Sequence, residues 1–322
     1  MTISADALDG FRQRFNAIVS NIERVIQGKR HVSEQVANCL ISGGHVLIED
    51  VPGVGKTLLA KSLARSIDCT FSRIQFTPDL LPSDVTGVSV WDRERGDFTF
   101  RPGPVFANVV LGDEINRASP KTQSALLEAM EEQQVTVDAL TRPLEEPFLV
   151  VATQNPIEHE GTYPLPEAQL DRFMMRITMG YPSREKELEM LDTHGARAAV
   201  EIEPVVTGAD VVEMMAVATT VHVADVVKGY LVDLADASRH GDDLLLGVSP
   251  RATLNLLRAS RTHAAAAGRD FVAPDDIKAM LHPVLNHRLI LRPEAQMRGV
   301  EMGAVIRGLG NSVPVPGLKP VP

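Results

Sequence analysis

The 322-residue chain is short of cysteine, aromatic residues and positive charge, and the first and last of these shortages remove whole classes of protein. Two cysteines, Cys39 and Cys69, are too few for a disulfide framework and lack the spacing of a zinc site. Lys and Arg number 32 against 42 Asp and Glu, a net charge of −10. Nucleic-acid binders displace counterions with a basic face, so this balance argues against one. No apolar run approaches the ~18 residues of a membrane span. The opening MTISADALDGFRQRFN has no basic stretch followed by an apolar one, so no secretory leader is expected. These features predict a cytoplasmic protein. The composition itself, 44% hydrophobic and 23% charged, suits about two globular domains with packed cores.

Apolar residues at helical spacing (Phe11, Phe15, Ile18, Ile22, Val25) predict a helix over 7–26. Five short apolar runs then alternate with helical patterns: HVLIE (45–49), TFSRIQF (70–76), FANVVLGD (106–113), PFLVVAT (147–153) and FMMRITM (173–179). Continuous apolar strands separated by helices predict an α/β fold with a parallel sheet covered on both faces. Two stretches break the rhythm, 78–103 and 134–144, and each reads as an inserted hairpin. Past Tyr181-Pro182 the chain turns helical. This predicts a core over 1–182, a small helical domain over 183–310 and a mobile proline-rich tail over 311–322.

Between the first strand and its helix lies EDVPGVGKT. Gly55, Lys56 and Thr57 fit the phosphate-loop pattern G-x-x-x-x-G-K-[ST], but Asp50 holds the place of its first glycine. Such a loop points backbone N–H groups and a helix N-terminus at the β-phosphate. Lys56 would reach the β/γ-phosphates, and the Thr57 hydroxyl would bind Mg²⁺. The competing reading is a tight strand-to-helix turn with a solvated lysine.

The third strand ends in adjacent carboxylates. Asp113 would hold Mg²⁺ through water, and Glu114 would polarise an attacking water. Alone, an Asp-Glu pair is more often a solvated strand end. After a buried strand downstream of a phosphate loop, it supports that loop. The fourth strand ends in TQNP, where Asn155 would bridge water and γ-phosphate, or simply form an Asn-Pro turn. Carboxyl ends of neighbouring strands share one crevice in α/β sheets. Two arginines would offset transition-state charge: Arg172 in LDRF, and Arg251 in the first turn of a helix capped by Ser249-Pro250. The ordinary alternative for each is a surface ion pair. The EHEG segment (158–161) carries metal-type residues without a completing set. His263, His282 and His287 read as helix-surface or core histidines, and Lys121 and Arg117 as surface charges, although Arg117 lies close enough to the acidic pair to touch a neighbouring subunit. No serine or cysteine has a nucleophile elbow or a paired base.

Taken together, EDVPGVGKTLLAKSLA, QFTPDLLPSDVTG, GPVFANVVLGDEINRASPKTQSALLEAMEE, ATQNPIEHEGTYPLPEAQLDRF and GVSPRATLNLLRA resemble the MoxR family of AAA+ ATPases over most of residues 26–267. The resemblance implies an α/β P-loop fold, with a parallel five-stranded sheet of order 5-1-4-3-2 followed by a small all-α lid. It implies that Asp50 is tolerated in the loop. It further implies a Walker A cradle of Pro52, Gly53, Val54, Gly55, Lys56, Thr57 and Leu58, and Walker B at Asp113 and Glu114. Mg²⁺ would lie on Thr57 and Asp113, with sensor 1 at Asn155, an arginine finger at Arg172 and sensor 2 at Arg251. The implied activity is ATP hydrolysis in a ring, typically a hexamer, that remodels protein partners, often ones with a von Willebrand factor A domain. No further domain is expected on the C-terminal side. Alternatives within the superfamily are a metal-chelatase motor subunit and a nucleic-acid-remodelling motor.

Overall fold

The computed structural model describes residues 3–155, 161–182, 184, 185, 187, 188, 191 and 201–316. Most of the EHEG segment, the start of the expected helical domain at 183 and the end of the expected tail lie outside these residues.

Helix α1 (Ala5–Glu23) opens where the Ser4 hydroxyl accepts from the Ala7 amide at 3.2 Å. It buries Phe11, Phe15, Ile18 and Ile22 on one stripe, which packs on α2 (Arg30–Ile41). The first strand, β1 (Val46–Glu49), runs through a glycine loop into α3 (Lys56–Ser66), which buries Leu59 and Leu63. Burying each leucine contributes about 2 kcal/mol. After β2 (Phe71–Gln75) come a short α4 (Pro82–Thr86) and the antiparallel hairpin of β3 (Gly87–Asp92) and β4 (Asp97–Pro102). The chain returns through β5 (Val109–Asp113) and α5 (Pro120–Glu132), makes a second hairpin of β6 (Gln134–Val137) and β7 (Leu140–Pro143), and re-enters the sheet as β8 (Leu149–Gln154). A single turn, α6 (Glu167–Leu170), precedes β9 (Met175–Ile177).

The five main strands are parallel in the order β2-β5-β8-β1-β9. Counted along the chain, this is the 5-1-4-3-2 arrangement. Strand period decides which core each residue enters. Val46, Ile48, Val109, Leu111, Leu149 and Val151 face the layer of α1–α3, whereas Leu47, Val110, Val150 and Ala152 face the layer holding Leu126, Leu127 and Phe173. Burial on both faces is why these strands read as unbroken apolar runs.

The C-terminal part is built from α7 (Gly208–Thr220), α8 (Asp225–Arg239), α9 (Pro250–Ala266), α10 (Pro274–Leu285), α11 (Pro293–Met297) and α12 (Met302–Ser312). One two-stranded ladder joins Leu244–Leu246 to Ile290–Leu291. Helix α9 starts as the sequence indicates, with the Ser249 hydroxyl accepting from the Ala252 amide at 3.1 Å and Pro250 as its first residue. These helices dock on α2 and on the β9 edge. The Asn38 amide donates to Ala259 O at 3.0 Å. The buried Arg288 guanidinium donates to Asp171 Oδ1 at 2.6 Å and to the carbonyls of Asp171, Phe173, Met174 and Val284. A buried guanidinium is tolerable only with such saturation. No helix among the described residues is long and apolar enough to cross a membrane.

Candidate active site

The glycine loop lies where β1 becomes α3. Gly53 (φ +84°) and Gly55 (φ +96°) occupy the left-handed region, and a side chain at Gly53 would meet open space. Gly55 is the N-cap of α3, and no side chain caps that helix. Its first-turn N–H groups are therefore left uncapped by any side chain, the condition an anion site at a helix N-terminus needs. Lys56 Nζ donates to the Asp50 carbonyl at 2.8 Å. Burial pushes the Lys56 ammonium below its usual pKa, while the charges of Asp113, Asp50 and Glu114 oppose that shift. The lysine and both downstream carboxylates thus share one electrostatic site.

Strands β5 and β8 deliver the next groups. Thr153 binds both members of the acidic pair: its hydroxyl donates to Asp113 Oδ1 at 2.6 Å and accepts from the Glu114 amide at 2.9 Å. Arg73 Nη2 reaches Asp113 Oδ2 at 2.6 Å, and Gln75 Nε2 reaches Glu114 Oε2 at 2.9 Å, both from β2. Glu114 has φ +57°, a left-handed turn that swings its carboxylate off the end of the strand. Arg117 Nε lies 3.2 Å from Glu114 Oε2, a contact within its own chain. Asn155 is buried directly after β8, beside these groups in the sheet order. The donor set suits a magnesium–nucleoside triphosphate: backbone N–H groups and an ammonium for phosphate, with Asp113 and Thr57 as hard oxygens for the cation.

Arg172 and Arg251 are not part of this cluster. Arg172 Nε donates to Glu131 Oε2 at 2.7 Å, and Arg251 Nη2 pairs with Glu131 Oε1. Both arginines line a cavity of about 420 Å³ together with Gly43, Gly44 and His45, at the amino end of β1. The loop lies beyond the carboxyl end of the same strand, so the two sites are separated by roughly 20 Å of extended chain. Arg251 and, after it, Arg172 hold the Glu131 carboxyl below its usual range against the effect of burial.

Sequence reasoning passed over Thr153, Arg73, Gln75 and Glu131. The polar end of VVATQN signalled Thr153, and the alternation in FSRIQ signalled Arg73 and Gln75. Glu131 stands in an ordinary helical run and carried no signal.

Comparison with known proteins settles the lineage. Residues 45–175 match the ATPase family associated with various cellular activities (AAA), and 236–308 match the AAA lid domain. The chaperone MoxR1 of Mycobacterium tuberculosis is 42% identical over 313 residues, covering 94% of this chain and 83% of that one. The chain belongs to the MoxR-type AAA+ ATPases. The protein MoxR of Methylorubrum extorquens is 32% identical over 92% of this chain and 93% of its own. The uncharacterized protein YeaC of Bacillus subtilis is 49% identical over 92% and 93%. The crystal structure of a protein from Cytophaga hutchinsonii, described as a putative ATPase, superposes with a TM-score of 0.90 at 39% identity, covering 96% of this chain and 97% of that one. ATP hydrolysis follows from this membership.

Proposed function

We propose that the chain is one subunit of an ATP-driven ring, typically a hexamer, in which each active site is completed by its neighbour. The reading assigns Pro52 to Leu58 to the triphosphate cradle, with Lys56 offsetting the β/γ charge. Thr57 and Asp113 hold the magnesium ion, which supplies charge neutralisation at the phosphates. Glu114 accepts the proton of the attacking water, and Asn155 orients that water against the γ-phosphate. Arg172 and Arg251 serve the next subunit's nucleotide.

The observation that carries the reading is the division of charge. One chain has Lys56, Asp113 and Glu114 at the carboxyl ends of its strands, and both arginines on Glu131 at the amino end of β1. Neither arginine can serve its own loop without crossing the sheet. Closed rings bring such opposite faces together. The core would span 1–182 and the lid 183–310, with the tail beyond. The two hairpins project from the core as gripping elements for a protein partner, a von Willebrand factor A domain protein being the first candidate. The same reading keeps the chain in the cytoplasm, where its unpaired Cys39 and Cys69 stay thiols.

The test is subunit mixing. Lys56→Ala and Arg172→Ala chains should each be inactive alone and regain turnover when combined. Absence of any recovery across all ratios, with rings formed, overturns the shared-site reading.

A further inference from the structure

Asp50 stands where a phosphate loop ordinarily begins with glycine, and every polar atom it has is engaged. Its N–H donates to Gln154 O at the end of β8, at 3.3 Å. Its carbonyl accepts from Lys56 Nζ at 2.8 Å. Its Oδ1 accepts from the Val51 amide at 2.8 Å, and its Oδ2 from the Gly180 amide at 2.6 Å. The residue is buried. Gly180 has φ +66° and lies where the chain leaves β9 toward the C-terminal helices. The next residue is tied as well: Lys29 Nζ donates to Tyr181 O at 2.7 Å. Met179 lies against the loop, its Cε 3.8 Å from where a Cβ on Gly55 would sit.

A carboxylate beside a triphosphate site is electrostatically unfavourable, and glycine would avoid that cost. Two backbone N–H donors offset the charge here, and one of them belongs to the segment that leads to the lid. The Lys56 ammonium rests on the Asp50 carbonyl and would leave it for phosphate. The Asp50–Val51 peptide, thus released, carries the side chain that holds Gly180. We infer that Asp50 is a positioning residue that couples occupancy of the phosphate loop to the placement of the core-to-lid segment at Gly180–Pro182. It acts through Gly180 and does not touch the reacting atoms. The inference rests on the nucleotide-site reading above.

The test compares the unmodified chain with Asp50→Gly, Asp50→Ser and Asp50→Asn. Glycine removes the link, and the serine hydroxyl is too short to bridge to Gly180, so Asp50→Ser serves if Asp50→Gly does not fold. Asparagine keeps an oxygen for the Gly180 amide. Binding is read with a fluorescent ATP analogue, and the lid response by amide hydrogen exchange with and without nucleotide. In the Gly and Ser variants, affinity should stay within about 3-fold and kcat should fall roughly 10-fold with little change in KM. Nucleotide-dependent protection of the C-terminal helices should be lost in both and kept in Asp50→Asn. The same nucleotide-dependent protection in Asp50→Gly or Asp50→Ser as in the unmodified chain overturns the coupling. If the unmodified chain binds no nucleotide, the site reading itself falls, and the coupling with it.

Discussion

Arg172 Nε donates to Glu131 Oε2 at 2.7 Å, so the arginine expected to complete a hydrolytic site lies at the end of the sheet remote from its own phosphate loop. This fixes what its removal should do. Arg172→Ala should lower ATP turnover about 10³-fold, the order of an arginine finger's contribution, while nucleotide affinity barely changes. Steady-state turnover beside equilibrium binding checks this. A parallel loss of affinity would return Arg172 to its own chain's nucleotide.

Glu131 holds Arg172 and Arg251 on its two oxygens, one from the core and one from the lid. Charge-assisted pairs of this kind fix direction as well as distance. Glu131→Gln weakens both at once without emptying the cavity. Turnover should fall roughly 10–10²-fold, as expected for arginines slightly misplaced, with KM nearly unchanged. Adding Arg172→Ala to it should cost less than the two single losses combined, because both act on one feature.

Glu114 is held by Gln75, and its turn is fixed through Thr153. Glu114→Gln keeps the shape and removes the carboxylate that the proposed mechanism uses as its base. ATP should still bind, and turnover should fall about 10²–10⁴-fold, the range for a general base. On the proposed ring reading, this variant held in ATP should retain a protein partner in a pull-down. Undiminished turnover removes Glu114 from the mechanism.

The parts legible in the sequence are those in which chemistry dictates residue type over a short span. The placement of Gly55, Lys56 and Thr57 at a strand-to-helix turn is such a case, as is that of Asp113 and Glu114 at the end of a strand that burial makes apolar. Strand order followed from the resemblance, not from periodicity, because buried parallel strands look alike. The Glu131 clasp was illegible for a different reason. It joins the end of α5 to residues just before β9 and at the start of α9, and Arg251 lies 120 residues away in sequence. Only tertiary packing brings them together, and the local pattern around Glu131 is that of any exposed helix. Asp50 was visible as a departure, but its partner Gly180, 130 residues on, was not.

The acid stability of the fold should be governed first by histidine. His45 is buried at the start of β1, where its Nδ1 accepts from the Val150 amide at 3.0 Å. Nε2 therefore carries the proton and donates to Met130 O at 3.0 Å. Burial lowers its pKa to about 4, with the Met130 carbonyl opposing that shift. The unfolded chain takes up this proton near pH 6.5, the folded one only near 4. The neutral-histidine contribution is thus fully present above pH 6.5 and is lost as pH falls toward 4, a change on the order of 3 kcal/mol. His287, buried beside Arg288, is also pushed well below its usual value and acts in the same direction. Asp276, held down to about 2 by Arg269 and His263 despite its burial, loses its contribution only below pH 4, outside this window. Urea unfolding at steps between pH 7.5 and 4.5 should therefore show stability declining from about pH 6.5. His45→Asn should lower the steepness of that decline by up to one proton, about 1.4 kcal/mol per pH unit. An unchanged slope in His45→Asn would mean that His45 is charged in the folded state, which the Val150 hydrogen bond does not allow.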